Sequence, residues 1–203
     1  MQELKETDLD PDPIVQFRRW FDEAARIQGD FADAMSVATS SPNGIVSSRF
    51  CLLKSIDQHG LVFFTNYNSP KGEQISENPH VALCFFWSML NRQVRIEGAA
   101  VQTTEEESDS YFASRPRGSQ LGAWASHQSE VLMGGRGDLD ERFQELEKLY
   151  RDKPVPRPPH WGGYRVIPTM IEFWQGRADR LHDRFRYKLR VQPNDWIIER
   201  LSP

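Results

Sequence analysis

From residue 35 to residue 98 the chain runs as short apolar or alternating segments, each closed by a turn, and this rhythm restricts the fold more than any other feature. Residues 35–39 are a short apolar run, followed by Pro42-Asn43-Gly44, a strong hairpin turn. A second run covers residues 47–56 and ends at Asp57-Gln58-His59-Gly60. Residues 61–66, 81–87 and 93–98 predict three more strands. The last alternates cleanly, with Val94 and Ile96 on one face and Gln93, Arg95 and Glu97 on the other. Late strands are expected near 164–167, 171–175 and 196–201.

Helices flank these strands. Asp12 can cap a helix whose first residue is Pro13, with Ile14, Phe17, Phe21 and Ala24 as its apolar stripe and Trp20 beside it. Thr104-x-x-Glu107 matches a capping box, and the helix it starts should stop before Pro116. A further helix is expected from about residue 139 to residue 150, and the Pro-rich stretch 154–159 links it onward. Residues 1–12, polar and acidic, are expected to form a mobile arm, and residues 13–203 a single domain. Six or more short antiparallel strands with a few helices suggest a closed or nearly closed barrel, because closure removes exposed strand edges.

Charge and cysteine usage exclude several function classes. A net charge of −4 gives no general pull toward nucleic acid. No apolar stretch approaches the ~20 residues that span a bilayer, and no signal-peptide pattern opens the chain. Cys51 and Cys84 sit in apolar runs without a second Cys or a His at metal-ligand spacing, which predicts buried free thiols, a reducing cytoplasmic setting and no metal site. No nucleophile-base-acid set is visible.

Cations and aromatics cluster in five places. In an extended segment Arg180, His182 and Arg184 would share one face, with Asp183 pointing away, and that row suits an anionic, electron-rich ligand. A solvated edge strand is the competing reading. Arg49 and Lys54 lie five apart, so a regular strand sends them to opposite faces; they serve one site only if the strand bends, and otherwise flank a buried apolar strand. Ser69-Pro70-Lys71 marks a helix N-terminus that could seat a phosphate, although many such caps bind nothing. Tyr111 and Arg115, at helical spacing, could converge on one phosphate with Ser119; alternatively Arg115 pairs with a carboxylate such as Glu107. Gln128-Ser129 suits a polar heterocycle or a turn.

Taken in order, these segments resemble the pyridoxamine 5'-phosphate oxidase family over nearly the whole chain. The marks are 49–54, Phe63-Phe64-Thr65-Asn66, Asn91-Arg92-Gln93-Val94, Ser114-Arg115-Pro116-Arg117, Ser119-Gln120-Leu121-Gly122-Ala123, Phe173-Trp174-Gln175-Gly176 and 180–184. The resemblance implies a mainly β split barrel with flanking helices, a homodimer, and FMN in clefts between subunits. It implies oxidation of pyridoxine or pyridoxamine 5'-phosphate to pyridoxal 5'-phosphate, with O2 reduced to H2O2. Carried over by motif, the flavin would be held by Arg49, Phe50, Cys51, Leu52, Leu53, Lys54, Phe64, Thr65, Lys71, Gln93, Gln128, Ser129, Trp174 and Arg184. The substrate would meet Lys54, Tyr111, Arg115 and Ser119 through its phosphate, with Arg180 and His182 over its ring as the catalytic pair. The chain departs from the family at Pro70, where a basic residue is common, and residues 1–9 do not match the family's N-terminal Arg and Tyr segment.

Overall fold

Asp12 starts the first helix as its residue type requires: its carboxylate accepts a hydrogen bond from Ile14 N at 2.8 Å, with Pro13 in the first turn. This helix, α1 (Pro13–Gln28), ends at Gly29, whose φ of 65° suits glycine. It buries Ile14, Phe17, Trp20 and Ala24 on the sheet, Phe17 meeting Phe85 edge-on at 5.1 Å and Trp20 meeting Phe173 at 5.2 Å. The computed structural model describes residues 3–190 and 195–203.

The strands are β1 (Ala34–Ser40), β2 (Val46–Leu52), β3 (Ser55–Asp57), β4 (Gly60–Asn66), β5 (His80–Trp87), β6 (Arg92–Gln102), β7 (Trp161–Gln175), β8 (Asp183–Leu189) and β9 (Trp196–Arg200). They form one antiparallel sheet in the order β2-β1-β5-β6-β7-β4-β3, with β8 beside the second half of β7 and β9 outside it. The run expected as one strand over 47–56 is two, because it bends at Leu53 and Lys54. There Leu53 N donates to Asp33 O and Lys54 N to Val62 O, both at 2.8 Å. Adjacent residues thus bond to opposite ends of the sheet, and the chain itself carries β2 into β3 and closes the curl. The inner face holds Met35, Val37, Leu83, Phe85, Val94, Ile96, Ile171, Phe173, Phe185 and Tyr187.

Other expectations change in detail. The segments near 164–167 and 171–175 are one long strand, β7. Pro168 is tolerated there because it lies where β6 carries a bulge at Glu97/Gly98 and where the other neighbour changes from β4 to β8. Helices α2 (Pro70–Glu77) and α3 (Glu105–Ser114) start at their expected caps, Ser69 accepting from Gly72 N and Thr104 from Glu107 N. A helix not anticipated, α4 (Arg117–Ala125), begins directly after Pro116, and α5 (Arg136–Leu149) follows.

The segment expected as a mobile arm is docked. Leu4 is 5% exposed, its N–H donates to Asp183, and Arg200 bonds both Glu6 carboxylate oxygens at 2.7 and 3.1 Å. The Arg200 hydrogen bond pulls the Glu6 carboxyl from 4.5 to about 2, so this stabilising contact is complete above pH 4.5 and is lost as pH falls toward 2. Amide exchange of residues 3–9 is expected to quicken in Glu6→Gln at neutral pH; unchanged exchange would mean that burial of Leu4 alone holds the segment.

Candidate functional site

The bend between β2 and β3 sets Arg49 and Lys54 against one cleft of about 900 Å³, even though their sequence spacing favours opposite faces. β4 adds Phe64, Thr65 and Asn66, α2 adds Lys71, α3 and the residue after it add Tyr111 and Arg115, and α4 adds Ser119. Gln128, Ser129 and Trp161 complete the wall. Four cations line this cleft, and among the described lining residues there is no Asp or Glu.

Lys71 is 7% exposed, yet its ammonium meets only neutral oxygens: Gln128 Oε1 at 2.8 Å, Thr65 Oγ1 at 3.0 Å and Ser69 Oγ at 3.1 Å. Arg49 likewise donates to Val37 O at 3.1 Å, Thr39 Oγ1 at 2.7 Å and Ser47 Oγ at 2.6 Å. Burial holds both groups below their ordinary pKa, and it pushes the nearby Cys51 thiol up despite the two cations. A buried and a half-buried cation surrounded by neutral acceptors are the counterpart of an anion, so the site fits a phosphate group. The N-terminus of α2 adds favourable backbone polarity, although Pro70 contributes no charge.

Arg115 differs from the alternative in which it pairs with Glu107, because Glu107 is bonded to Arg165 at 2.6 Å. The Arg115 guanidinium instead lies 4.6 Å from the Trp161 ring centroid, and its buried Nη1 has no hydrogen-bond partner. Burial also lowers its pKa. Beside it Tyr111, Phe64 and Trp161 stand nearly parallel, with Tyr111–Phe64 centroids 4.0 Å apart and Phe64–Trp161 centroids 5.4 Å apart. Gly163 makes this possible: a Cβ there would come within 2.8 Å of the Phe64 ring. Lys54 reaches the cleft while paired with Asp33 at 2.9 Å.

Phe50, Cys51 and Leu52 also line the cleft, whereas Leu53 is core and does not. Trp161 escaped the sequence reading. Its signal was the pair Gly162-Gly163 directly after an aromatic residue at a strand start, where the missing Cβ atoms admit Tyr67, Thr103 and Phe64.

A second set of site candidates lies elsewhere. Gln93, Trp174 and Arg184 are cross-strand neighbours in one row of the sheet, continued by the exposed Phe86. Arg184 donates to the buried Glu172 at 2.8 Å. The strand expected to include Arg180 starts only at Asp183; Arg180 sits in a tight turn where it and Asp179 have φ of 60° and 55°. Asp179 and Arg180 are held in a left-handed backbone uncommon for non-glycine residues, so the turn, not strand alternation, sets the direction of Arg180. His182 packs 4.6 Å from Trp174, and its Nδ1 accepts the Arg177 backbone N–H at 3.1 Å. None of these five residues lines the cleft within the same chain.

Comparison with known proteins identifies the family. Residues 23–148 match the family description "Pyridoxamine 5'-phosphate oxidase", and residues 161–203 match "Pyridoxine 5'-phosphate oxidase C-terminal dimerisation region". A pyridoxine/pyridoxamine 5'-phosphate oxidase of Acaryochloris marina is 53% identical over 202 residues, covering 100% of this chain and 91% of the relative. One from Rubrobacter xylanophilus is 56% identical over 200 residues, covering 98% and 91%. The crystal structure of PhzG from Burkholderia lata, in complex with tetrahydrophenazine-1-carboxylic acid, superposes with a TM-score of 0.92 at 33% identity, covering 100% and 99%. With the carboxylate-free cleft, the curled sheet and these full-length likenesses together, the chain belongs to the pyridoxamine 5'-phosphate oxidase family.

Proposed function

We propose that this protein oxidises pyridoxine 5'-phosphate, or pyridoxamine 5'-phosphate with uptake of water and release of ammonia, to pyridoxal 5'-phosphate, with FMN as cofactor and O2 leaving as H2O2. The observation that carries the reading is the cleft itself: the buried Lys71 and the half-buried Arg49 and Arg115, without carboxylate partners among the described residues, face one cavity. Arg49 and Lys71, with Thr65, Gln128 and Ser129, would hold the flavin and its phosphate. Arg115, Lys54, Tyr111 and Ser119 would hold the substrate phosphate, each charge-assisted hydrogen bond contributing about 1.5–3 kcal/mol. FMN, when bound, supplies the two-electron oxidation that no side chain here can perform.

The matched C-terminal dimerisation region supports a homodimer, and the position of Gln93, Trp174, Arg180, His182 and Arg184 outside the cleft supports a site shared between subunits. In that arrangement the row on one protomer covers the cleft of its partner, placing Arg180 and His182 over the substrate ring. Because Nδ1 of His182 already accepts a backbone N–H, its neutral ring offers Nε2–H as a donor. His182 would then orient the substrate and steady developing charge with Arg180, rather than accept a proton at Nε2. The unpaired thiols Cys51 and Cys84 fit a cytoplasmic setting.

A second reading, a related flavoprotein oxidase acting on an unphosphorylated substrate, draws on the likeness to PhzG. The unpartnered Arg115 fork and the 53% and 56% identities favour the phosphorylated one. The purified protein should be yellow and should form peroxide and pyridoxal 5'-phosphate from pyridoxine 5'-phosphate under air. Colour without turnover would favour a non-catalytic binder of FMN or pyridoxal phosphate, and turnover of unphosphorylated substrates alone would remove the proposed phosphate site.

A further inference from the structure

We propose that Trp161 is a positioning residue that aims the Arg115 guanidinium at the substrate phosphate, and so contributes to selection of phosphorylated over unphosphorylated substrates. The inference rests on the functional reading above and adds a residue to it. Arg115 follows the last turn of α3 with extended backbone (φ −72°, ψ 148°), so helical geometry does not fix its side chain. Among the described residues no carboxylate pairs with it, and its contacts are ring faces: Trp161 at 4.6 Å and Phe112 at 5.6 Å.

An aromatic face suits this task for a chemical reason. A carboxylate would hold the guanidinium by occupying the N–H groups that a phosphate needs, whereas a ring attracts the cation through its π-electrons and leaves those groups open. The unpartnered, buried Nη1 of Arg115 is the sign of that arrangement. Trp161 is itself immobilised. It is 7% exposed, its backbone O accepts from Arg157 Nη1 at 2.8 Å, its N donates to Pro158 O at 3.1 Å, and its ring lies against Phe64 and edge-on to Phe112. A rigid indole therefore confines a long side chain that would otherwise sample many rotamers, which lowers the ordering cost of binding phosphate.

The test compares dissociation constants of pyridoxal 5'-phosphate and pyridoxal on the flavin-loaded dimer, with flavin content measured alongside. Trp161→Leu is expected to weaken pyridoxal 5'-phosphate about tenfold, leave pyridoxal unchanged and retain flavin, while Trp161→Phe stays within about threefold of wild type. The KM for the phosphorylated substrate should rise with kcat nearly unchanged. In an Arg115→Ala background the same Trp161→Leu change should cost no further phosphate preference, which a general packing role would not produce. Equal weakening of both ligands, or a tenfold loss that persists without Arg115, would overturn the proposal. Either result differs from failure of the functional reading, in which wild-type protein would itself bind the two ligands alike.

Discussion

Replacing Lys71 by Met is expected to strip the protein of flavin while leaving the flavin-free fold as stable as before or more so. The two effects have opposite signs for one reason. The ammonium is almost fully buried and meets three neutral oxygens, which repay only part of the hydration it gives up. A phosphate supplies the missing opposite charge, so the cost of burying the ammonium is recovered on binding. Met fills a similar volume without that charge. Losing one charge-assisted contact of about 1.5–3 kcal/mol predicts FMN affinity lower by about 10- to 150-fold. Flavin fluorescence titration and calorimetry of the apo-protein measure the two halves separately. Because burial lowers the Lys71 pKa, the folded state binds fewer protons than the unfolded chain at alkaline pH. The wild-type apo-protein should therefore gain stability as pH rises through the folded-state pKa, and Lys71→Met should lack that gain. Unchanged FMN affinity, or an apo-protein destabilised by more than about 2 kcal/mol, would refute the assignment of Lys71 as a phosphate seat.

How much of the fold is legible in the sequence follows the range of the forces involved. Asp12, Ser69 and Thr104 act on backbone groups two or three residues away, and all three caps sit where the sequence placed them. The turns at 42–44 and 57–60 are equally local, as is the alternation of Val94 and Ile96. The bend at Leu53 and Lys54 is not local: it arises because one residue bonds to Asp33 and the next to Val62, partners on opposite ends of the sheet. Spacing alone therefore left Arg49 and Lys54 on opposite faces, and the family resemblance, rather than the period-two rule, united them. Register has the same character. Gln93, Trp174 and Arg184 become neighbours only once β6, β7 and β8 are paired, and no pattern in any one strand announces it. Arg180 shows the limit from the other side, since alternation assigned it to a strand that starts three residues later. Its direction comes from two left-handed residues that no hydrophobic pattern encodes.

Mixing two inactive variants should restore activity if each catalytic site is built from two chains. Arg115→Glu puts a negative charge at the proposed substrate-phosphate site and should disable the cleft through repulsion and loss of the fork. Arg180→Ala should disable the turn proposed to cover the partner's cleft while leaving Arg49 and Lys71 to retain flavin. In a mixed dimer one site would combine both lesions and the other neither. Random reassortment of equal amounts makes half of the dimers mixed, so about a quarter of wild-type turnover should return. A site assembled within one chain gives the opposite outcome, because every site in the mixture then carries one lesion. Flavin absorbance separates this from a simple loss of cofactor, since both variants should remain yellow. The experiment is demanding on the fold as well. The exposed Phe86, the row Gln93-Trp174-Arg184 and the turn at Arg180 must all face the neighbouring subunit for complementation to occur. Mixed dimers that form and stay inactive would place the reacting groups within a single chain and leave that row without a catalytic role.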